Sequence, residues 1–134
     1  EDEYGDEWLS ILSRNQERST EFSVRGVKDL LADTSEMGPL KSIIAYEETG
    51  LLYFYMAFLD GIRKELFPEL LQSFQAFTEN RDWASLEEAR KAGYRRAQNL
   101  REYVLQVWRE KGETEHIGVS LKQYLSEELP RSYR

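Results

Sequence analysis

The apolar residues between positions 40 and 67 recur at intervals of three and four, and this pattern constrains the fold more than any other in the chain. Such spacing predicts an α-helix, because it places the apolar side chains on one face. At 1.5 Å per residue, that helix would be about 40 Å long. Leu52, Met56 and Leu59 widen the apolar face until only a narrow side remains polar. A helix of this kind is normally surrounded by others, so we expect residues 40–67 to form a long buried helix at the centre of a bundle.

Helical spacing also predominates outside this segment, and no convincing alternation of apolar and polar residues indicates a strand. A capping box at residues 85–88 (Ser-Leu-Glu-Glu) predicts the start of a second long helix, which ends near Gly112. Pro39 and Pro68 suit the first turns of helices. We therefore predict an all-α fold, a compact bundle of five or six helices around the long central buried helix. The other expected helices cover residues 6–15, 20–32, 68–78, 85–111 and a short segment after Ser120.

Length and composition narrow the class of protein. A chain of 134 residues suits one domain, which we place at residues 1–134, with residues 1–5 as an acidic tail that either caps the first helix or frays. The sequence has no Cys and one His, which excludes disulfides, thiolate zinc sites and cysteine nucleophiles, and almost every His-based metal site. No apolar run approaches the ~18 residues of a membrane span. We expect a soluble intracellular protein, in the cytoplasm or an organelle lumen, with no metal, no cofactor and no membrane insertion.

Two polar residues fall on apolar faces of the predicted helices. Glu47 lies within the apolar face of the central helix, and Arg96 lies within that of residues 85–111. A buried guanidinium needs a carboxylate partner, and a buried carboxylate needs hydrogen-bond donors. We therefore predict a buried pair of Arg96 with Glu47, or with the neighbouring Glu48. Spacing alone leaves open whether this pair is structural or holds a ligand.

Aromatic residues crowd the predicted central helix. Tyr46 and Tyr53 are seven positions apart and so share one face, to which Gly50 and Ala57 add small residues. An aromatic and apolar groove of this kind receives another helix or a peptide. Its occupant is a helix of the same chain, a second copy in a homodimer, or a partner protein.

The second half of the chain contains a basic stretch. Residues 90–111 carry seven basic and two acidic side chains, in a chain whose net charge is −7. Tyr94 shares a sector of the helical wheel with Arg90 and Arg101, and Arg95 lies beside it. Such a face is solvated, paired with acidic residues of the chain itself, or a surface for an acidic protein or a nucleic acid. These four residues are our candidates for binding a partner on this helix.

Arg109 is followed by six residues and then by His116. This pair resembles the Arg-x(4–6)-His signature of the HEPN superfamily, small helical domains that include ribonucleases. In that family the Arg and the His converge to bind and activate an RNA phosphodiester. The resemblance rests on these two residues, with Gly112 between them, and implies a helical ribonuclease in which Arg109 and His116 are catalytic.

Other catalytic motifs are missing from the sequence, which has no Gly-rich phosphate loop, no Gly-x-Ser-x-Gly elbow and no dinucleotide fingerprint. Because apolar and charged residues are plentiful, we predict a non-enzymatic protein–protein interaction module, such as an adaptor, an assembly factor or an inhibitor. It would bind a protein partner through the groove of Tyr46 and Tyr53 and through the basic helix face. The alternatives are a HEPN-like ribonuclease that uses Arg109 and His116, and a helical domain that binds nucleic acid.

Overall fold

A computed structural model of the protein describes residue 5, residues 18–111 and residues 121, 123, 124, 126 and 127. This part of the chain contains helices and no strand, so the predicted all-α fold is confirmed. The described residues between 121 and 127 are also helical, whereas the helix expected at residues 6–15 lies outside the described part. The helices are α1 (Arg18–Thr34), α2 (Pro39–Ala45), α3 (Thr49–Phe58), α4 (Gly61–Glu65), α5 (Pro68–Asn80) and α6 (Trp83–Lys111).

The chain divides into two compact units. The terminal unit comprises residues 1–28 and 98–134, and the central unit comprises residues 29–97. The boundaries fall within α1 and within α6. A single domain over residues 1–134 stays a prediction.

The central unit has an apolar core to which α1, α2, α3, α5 and α6 all contribute. Within this core the ring of Phe67 packs against Gly93 of α6. A Cβ atom at Gly93 would lie 2.6 Å from Cε1 of Phe67, so the contact requires a residue without a side chain. The buried apolar residues of this unit are Leu30, Leu31, Leu40, Ile43, Ile44, Leu52, Leu59, Leu66, Phe67, Leu70, Phe77, Leu86, Ala89 and Ala97.

The terminal unit has apolar core residues from both of the chain segments that form it. The ring centroids of Tyr103 and Tyr124 are 4.6 Å apart, with an interplanar angle of 32°. This contact joins α6 to the helical residues near position 124. The buried apolar residues of this unit are Val24, Val27, Leu100, Val104, Leu105, Val107 and Leu121.

Residues 40–67 do not form one long helix, so this prediction is wrong; they form α2, α3 and α4. A Schellman motif ends α2, in which the backbone N–H of Glu48 donates to the carbonyl oxygen of Ile43 at 3.0 Å. The N–H of Glu47 donates to the carbonyl oxygen of Ile44 at 3.2 Å. Glu47 occupies the left-handed position of the motif, with φ 49°. Glycine usually marks that position, so a glutamate there leaves the end of the helix without its usual sequence signal.

A second interruption separates α3 from α4. Leu59 and Asp60 are extended, and Gly61 follows them with φ 57°. Glycine adopts this left-handed conformation without a steric penalty, so the turn depends on Gly61. The long helix of the fold is α6, with 29 residues. No described helix combines the length and the apolar character needed to cross a membrane.

The start of α6 also differs from the prediction. Asp82 Oδ1 accepts hydrogen bonds from the backbone N–H groups of Ala84 at 3.0 Å and Ser85 at 3.3 Å. Ser85 lies inside the helix, and its hydroxyl donates to Ser73 Oγ at 3.2 Å. The capping box predicted at residues 85–88 is therefore wrong as a helix start, because Asp82 already caps the free N–H groups of the first turn.

Candidate functional site

Helix α3 leaves most of its apolar side chains in solvent. Of its ten residues, Leu52 is the buried one. Leu51, Phe54 and Phe58 are 51%, 64% and 63% exposed. They follow the i, i+3, i+7 pattern of one helix face, and the ring centroids of Phe54 and Phe58 are 4.7 Å apart. We call these three side chains the α3 apolar surface.

A groove of about 350 Å³ lies between α2 and α3. Two members of the α3 apolar surface, Leu51 and Phe54, line it, and Glu48 is the one charged residue in its lining. A mostly apolar recess of this size accepts bulky apolar groups of a ligand or partner. The lining of this α2–α3 groove consists of Pro39, Ser42, Ile43, Glu48, Leu51, Phe54 and Tyr55.

Tyr55, on the groove wall, is held by Asp33 of α1. Tyr55 Oη donates to Asp33 Oδ2 at 2.8 Å, and Arg63 Nη1 donates to the same oxygen at 2.9 Å. Burial raises the pKa of Asp33, although the hydrogen bonds from Tyr55 and Arg63 act in the opposite direction. Burial and the neighbouring carboxyl group also raise the pKa of Tyr55, so its phenol keeps its proton. Arg63 Nη2 also donates to the carbonyl oxygen of Phe58 at 3.2 Å, so the same arginine contacts the last residue of α3.

The comparison with protein families gives one relationship. Residues 1–127 match the C-terminal domain of a family of unknown function, DUF6866. The chain belongs to this family. Neither the curated proteins nor the solved structures contain a match to it. The description of the family assigns no activity, so a function for the domain is argued from the geometry of its residues.

Tyr46 and Tyr53 do not share a helix face. Tyr46 is the exposed residue that follows α2, whereas Tyr53 lies in α3 with its ring edge-on to Phe74 of α5, at 5.1 Å between centroids. The break between α2 and α3 separates the two tyrosines, so the groove expected from their spacing does not form. The α2–α3 groove includes neither of them. Partner binding by Tyr46 and Tyr53 stays a prediction.

Arg90 lies inside the central unit at 1% exposure, within a network of four charged side chains. Its Nε and Nη2 atoms donate to Glu87 Oε1 and Oε2 at 2.7 and 2.8 Å. Nη2 also donates to Glu36 Oε1 at 3.1 Å, and Nη1 donates to the carbonyl oxygen of Thr34 at 2.6 Å. Lys41 Nζ donates to Glu87 Oε2 at 3.2 Å. The hydrogen bonds from Arg90 and Lys41 lower the pKa of Glu87 to about 2, and the bond to Glu87 raises the pKa of Arg90.

The basic face expected on α6 therefore lacks Arg90. A helical wheel places Arg90 outside because it does not show two of its partners, Thr34 at the end of α1 and Glu36 in the connection to α2. Arg95 is exposed and Tyr94 is half-buried. Arg101, in the terminal unit, is half-buried and donates to Glu102 Oε1 at 3.1 Å. Partner binding by Tyr94, Arg95 and Arg101 stays a prediction.

The predicted pair of Arg96 with Glu47 is wrong. Arg96 donates from Nη1 and Nη2 to both carboxylate oxygens of Glu69, in the first turn of α5. Its Nη1 also donates to the carbonyl oxygen of Leu66 at 3.1 Å. The prediction placed Glu47 on an uninterrupted helix, and the Schellman motif leaves it exposed in a turn. Glu48 is exposed as well, on the wall of the α2–α3 groove.

The residues proposed for RNA cleavage are only partly described. Arg109 is exposed on α6, and His116 lies outside the described residues. The ribonuclease hypothesis for this pair stays a prediction. Within the described ranges, no group of three or more His, Cys, Asp or Glu residues is placed to hold a metal ion.

Sequence reasoning missed the α3 apolar surface, although it identified the same residues as apolar. The signal was present in composition, because α3 (TGLLYFYMAF) has no charged side chain. A helix without a polar face needs cover on every side. In α3 the fully buried residue is Leu52, and Leu51, Phe54 and Phe58 stay exposed.

Proposed function

We propose that this domain is a non-enzymatic protein-interaction module, an adaptor, assembly factor or inhibitor, whose protein partner covers the α3 apolar surface. The supporting observation is the exposure of Leu51, Phe54 and Phe58 side by side on one helix. Removing apolar area from water is worth about 25 cal/mol per Å², so this surface is a source of binding free energy. Contiguous apolar patches on protein surfaces often mark interaction sites.

The rigidity of the surface also supports the proposal. Asp33 of α1 accepts hydrogen bonds from Tyr55 of α3 and from Arg63 of α4, so three helices share one carboxyl group. A binding surface that is held in shape before the partner arrives loses less conformational entropy on binding. Tyr55, next to Phe54 on the groove wall, is held in place by its hydrogen bond to Asp33.

The same proposal places the domain in an intracellular compartment. The absence of Cys is compatible with a reducing compartment, where disulfides are rare. An adaptor, assembly factor or inhibitor in such a compartment would present the α3 apolar surface to its partner.

A pair of matched substitutions tests the proposal. Phe54→Ser removes an exposed apolar side chain from the α3 apolar surface, and Met37→Ser removes one that is 96% exposed in the connection between α1 and α2. Both variants should unfold within about 0.5 kcal/mol of the wild type, because neither position is buried. The tagged wild type and both variants would then be used to capture partners from extract of the source organism, with quantification by mass spectrometry.

We expect Phe54→Ser to lower recovery of the specific partner about tenfold or more, as the loss of an aromatic anchor does in other interfaces. Met37→Ser should recover the partner at the wild-type level. If Phe54→Ser recovers every protein that the wild type recovers, the proposed function is wrong.

A further inference from the structure

The segment that supplies most of the α2–α3 groove carries charges of one sign. Residues 42–62, which include all of α3, contain three carboxylates (Glu47, Glu48 and Asp60) and no Lys, Arg or His. All three carboxylates are exposed, and Glu48 lines the groove itself. The sequence neighbourhood of the α3 apolar surface is therefore anionic.

Two of the cations that flank this segment, Lys41 and Arg63, are already engaged, whereas Lys64 is exposed. Lys41, at one end, lies 3.2 Å from Glu87 Oε2 and 3.6 Å from Glu36 Oε2. Arg63, at the other end, is bound to Asp33. Glu47 and Glu48, by contrast, form no ion pair with a residue in the described part of the chain. Their negative charges remain available to a partner.

The shape of the groove favours a helical ligand. Two helices form its walls, and the part of the chain that the structure describes has no strand whose edge could pair with an extended peptide. Helix-in-groove recognition uses apolar anchors at i, i+3, i+4 and i+7 of an amphipathic helix. Leu51, Phe54 and Phe58 offer the complementary spacing on α3.

We propose that the α2–α3 groove binds a basic amphipathic helix of a partner protein. This inference rests on the proposed function and specifies the partner's chemistry. The apolar face of the bound helix covers Leu51, Phe54 and Phe58, and its Lys or Arg side chains pair with Glu47 and Glu48. A second copy of this chain fits less well, because a two-fold contact would bring the same carboxylates of both copies together.

Selection from a displayed peptide library tests this inference on the full chain. The library would hold amphipathic helices with Leu, Ile, Phe, Met or Trp at the anchor positions and Lys, Glu or Gln at the polar positions. Peptides would be selected on the wild type and counter-selected on Phe54→Ser. Their affinities would then be measured for the wild type and for the Glu47→Gln/Glu48→Gln double variant.

We expect the selected peptides to carry Lys near the anchors and to lose binding to Phe54→Ser. Each exposed ion pair should raise affinity about 1.5- to 5-fold, so the preference for Lys over Gln should fall below about twofold in the double variant. The preference should also weaken with added salt.

Three outcomes would overturn the inference. Selected peptides that need Phe54 but are neutral or acidic would remove the charge requirement and leave the proposed function in place. Dimerisation of the wild type, dissociated by Phe54→Ser in sedimentation experiments, would assign the surface to a second copy. If no peptide distinguishes the wild type from Phe54→Ser, the groove does not bind helices, and the proposed function is then decided separately by the extract experiment.

Discussion

Arg90 donates to both carboxylate oxygens of Glu87 across one turn of α6, with Nε 2.7 Å from Oε1 and Nη2 2.8 Å from Oε2. Its remaining contacts reach Glu36 and the carbonyl oxygen of Thr34. This side chain is 1% exposed, and its hydrogen bonds tie the end of α1 and the connection to α2 to α6. Together with the hydrogen bond from Lys41 of α2 to Glu87, these contacts hold the α2 wall of the α2–α3 groove against α6.

Arg90→Met is expected to destabilise the protein by about 2–4 kcal/mol. The substitution leaves the buried carbonyl group of Thr34 without its donor and Glu87 without its main cation. The measurement is the free energy of unfolding in urea at neutral pH. Arg95→Met, at an exposed position on the same helix, serves as the control and should stay within about 0.5 kcal/mol of the wild type. Equal effects of the two substitutions would show that Arg90 is not a structural cation.

Glu87 should make stability depend on pH in acid. Its pKa is about 2 in the folded protein against an ordinary value of 4.5, so the unfolded chain binds more protons between these pH values. The stabilisation from Glu87 is therefore complete above about pH 4.5 and is lost as the pH falls towards 2. Glu87→Gln should lower stability at neutral pH and flatten the decline of the unfolding free energy below pH 4.5.

The adjacent Glu88 provides the control for this experiment, because its side chain is 74% exposed. Glu88→Gln should retain a steeper acid decline than Glu87→Gln. Asp33 affects the pH dependence of stability in the opposite direction to Glu87. Burial raises the pKa of Asp33, so the stabilisation from its protonated form is lost as the pH rises. Asp33 is present in both glutamate variants, so its contribution cancels when their unfolding free energies are compared at each pH. Identical slopes would contradict the assignment of the acid transition to Glu87.

Apolar spacing was enough to predict the all-α fold class and the positions of most helices. It did not predict that residues 40–67 are interrupted. Pro39 and Pro68 do begin helices, as their restricted φ predicts. The end of α2 was missed because Glu47 holds a left-handed conformation that glycine usually marks. A continuous apolar pattern passed through this break without a visible change.

For a buried charge, the sequence predicted the chemical type of the partner but not which residue supplies it. Arg96 binds a carboxylate, as its place on an apolar helix face predicted, but the carboxylate belongs to Glu69 of α5. Arg90 could not be identified as buried, because two of its partners lie at the end of α1 and in the connection that follows it. Spacing along one helix carries no information about groups that another segment brings into contact.

The contact between Phe67 and Gly93 should make position 93 intolerant of alanine. A Cβ atom there would lie 2.6 Å from Cε1 of a fully buried ring. Overpacking of this kind costs about 1–3 kcal/mol. Gly50→Ala is the control, because a Cβ atom at that helical position meets no atom within 4 Å. Gly50→Ala should leave stability unchanged or raise it by up to about 1 kcal/mol. The measurement is the free energy of unfolding of both variants in a chemical denaturant. A tolerated Gly93→Ala would show that the Phe67 ring moves freely.

Adjacent leucines of α3 should respond very differently to truncation. Leu52 is fully buried, and Leu52→Ala is expected to cost about 2–5 kcal/mol. Leu51 is 51% exposed, and Leu51→Ala should cost less than about 1 kcal/mol. Thermal or urea unfolding measures the stability of both variants, and the difference between them tests which face of α3 is buried. A large loss for Leu51→Ala would mean that the α3 apolar surface is covered within the chain itself.

Glu47→Gly should stabilise the protein, which is unusual for a substitution by glycine. Glu47 has φ 49° in the Schellman motif, and a glycine there avoids the steric penalty of the left-handed conformation. We expect a gain of about 0.5–1 kcal/mol in the free energy of unfolding. Glu48→Gly is the matched control, because Glu48 has an ordinary φ of −85° and gains no such relief. Its unfolding free energy should fall by about 0.5–1 kcal/mol, since glycine increases the entropy of the unfolded chain. If both variants lose stability equally, α2 continues past Tyr46 in solution, and the separate α3 that presents Leu51, Phe54 and Phe58 would not exist.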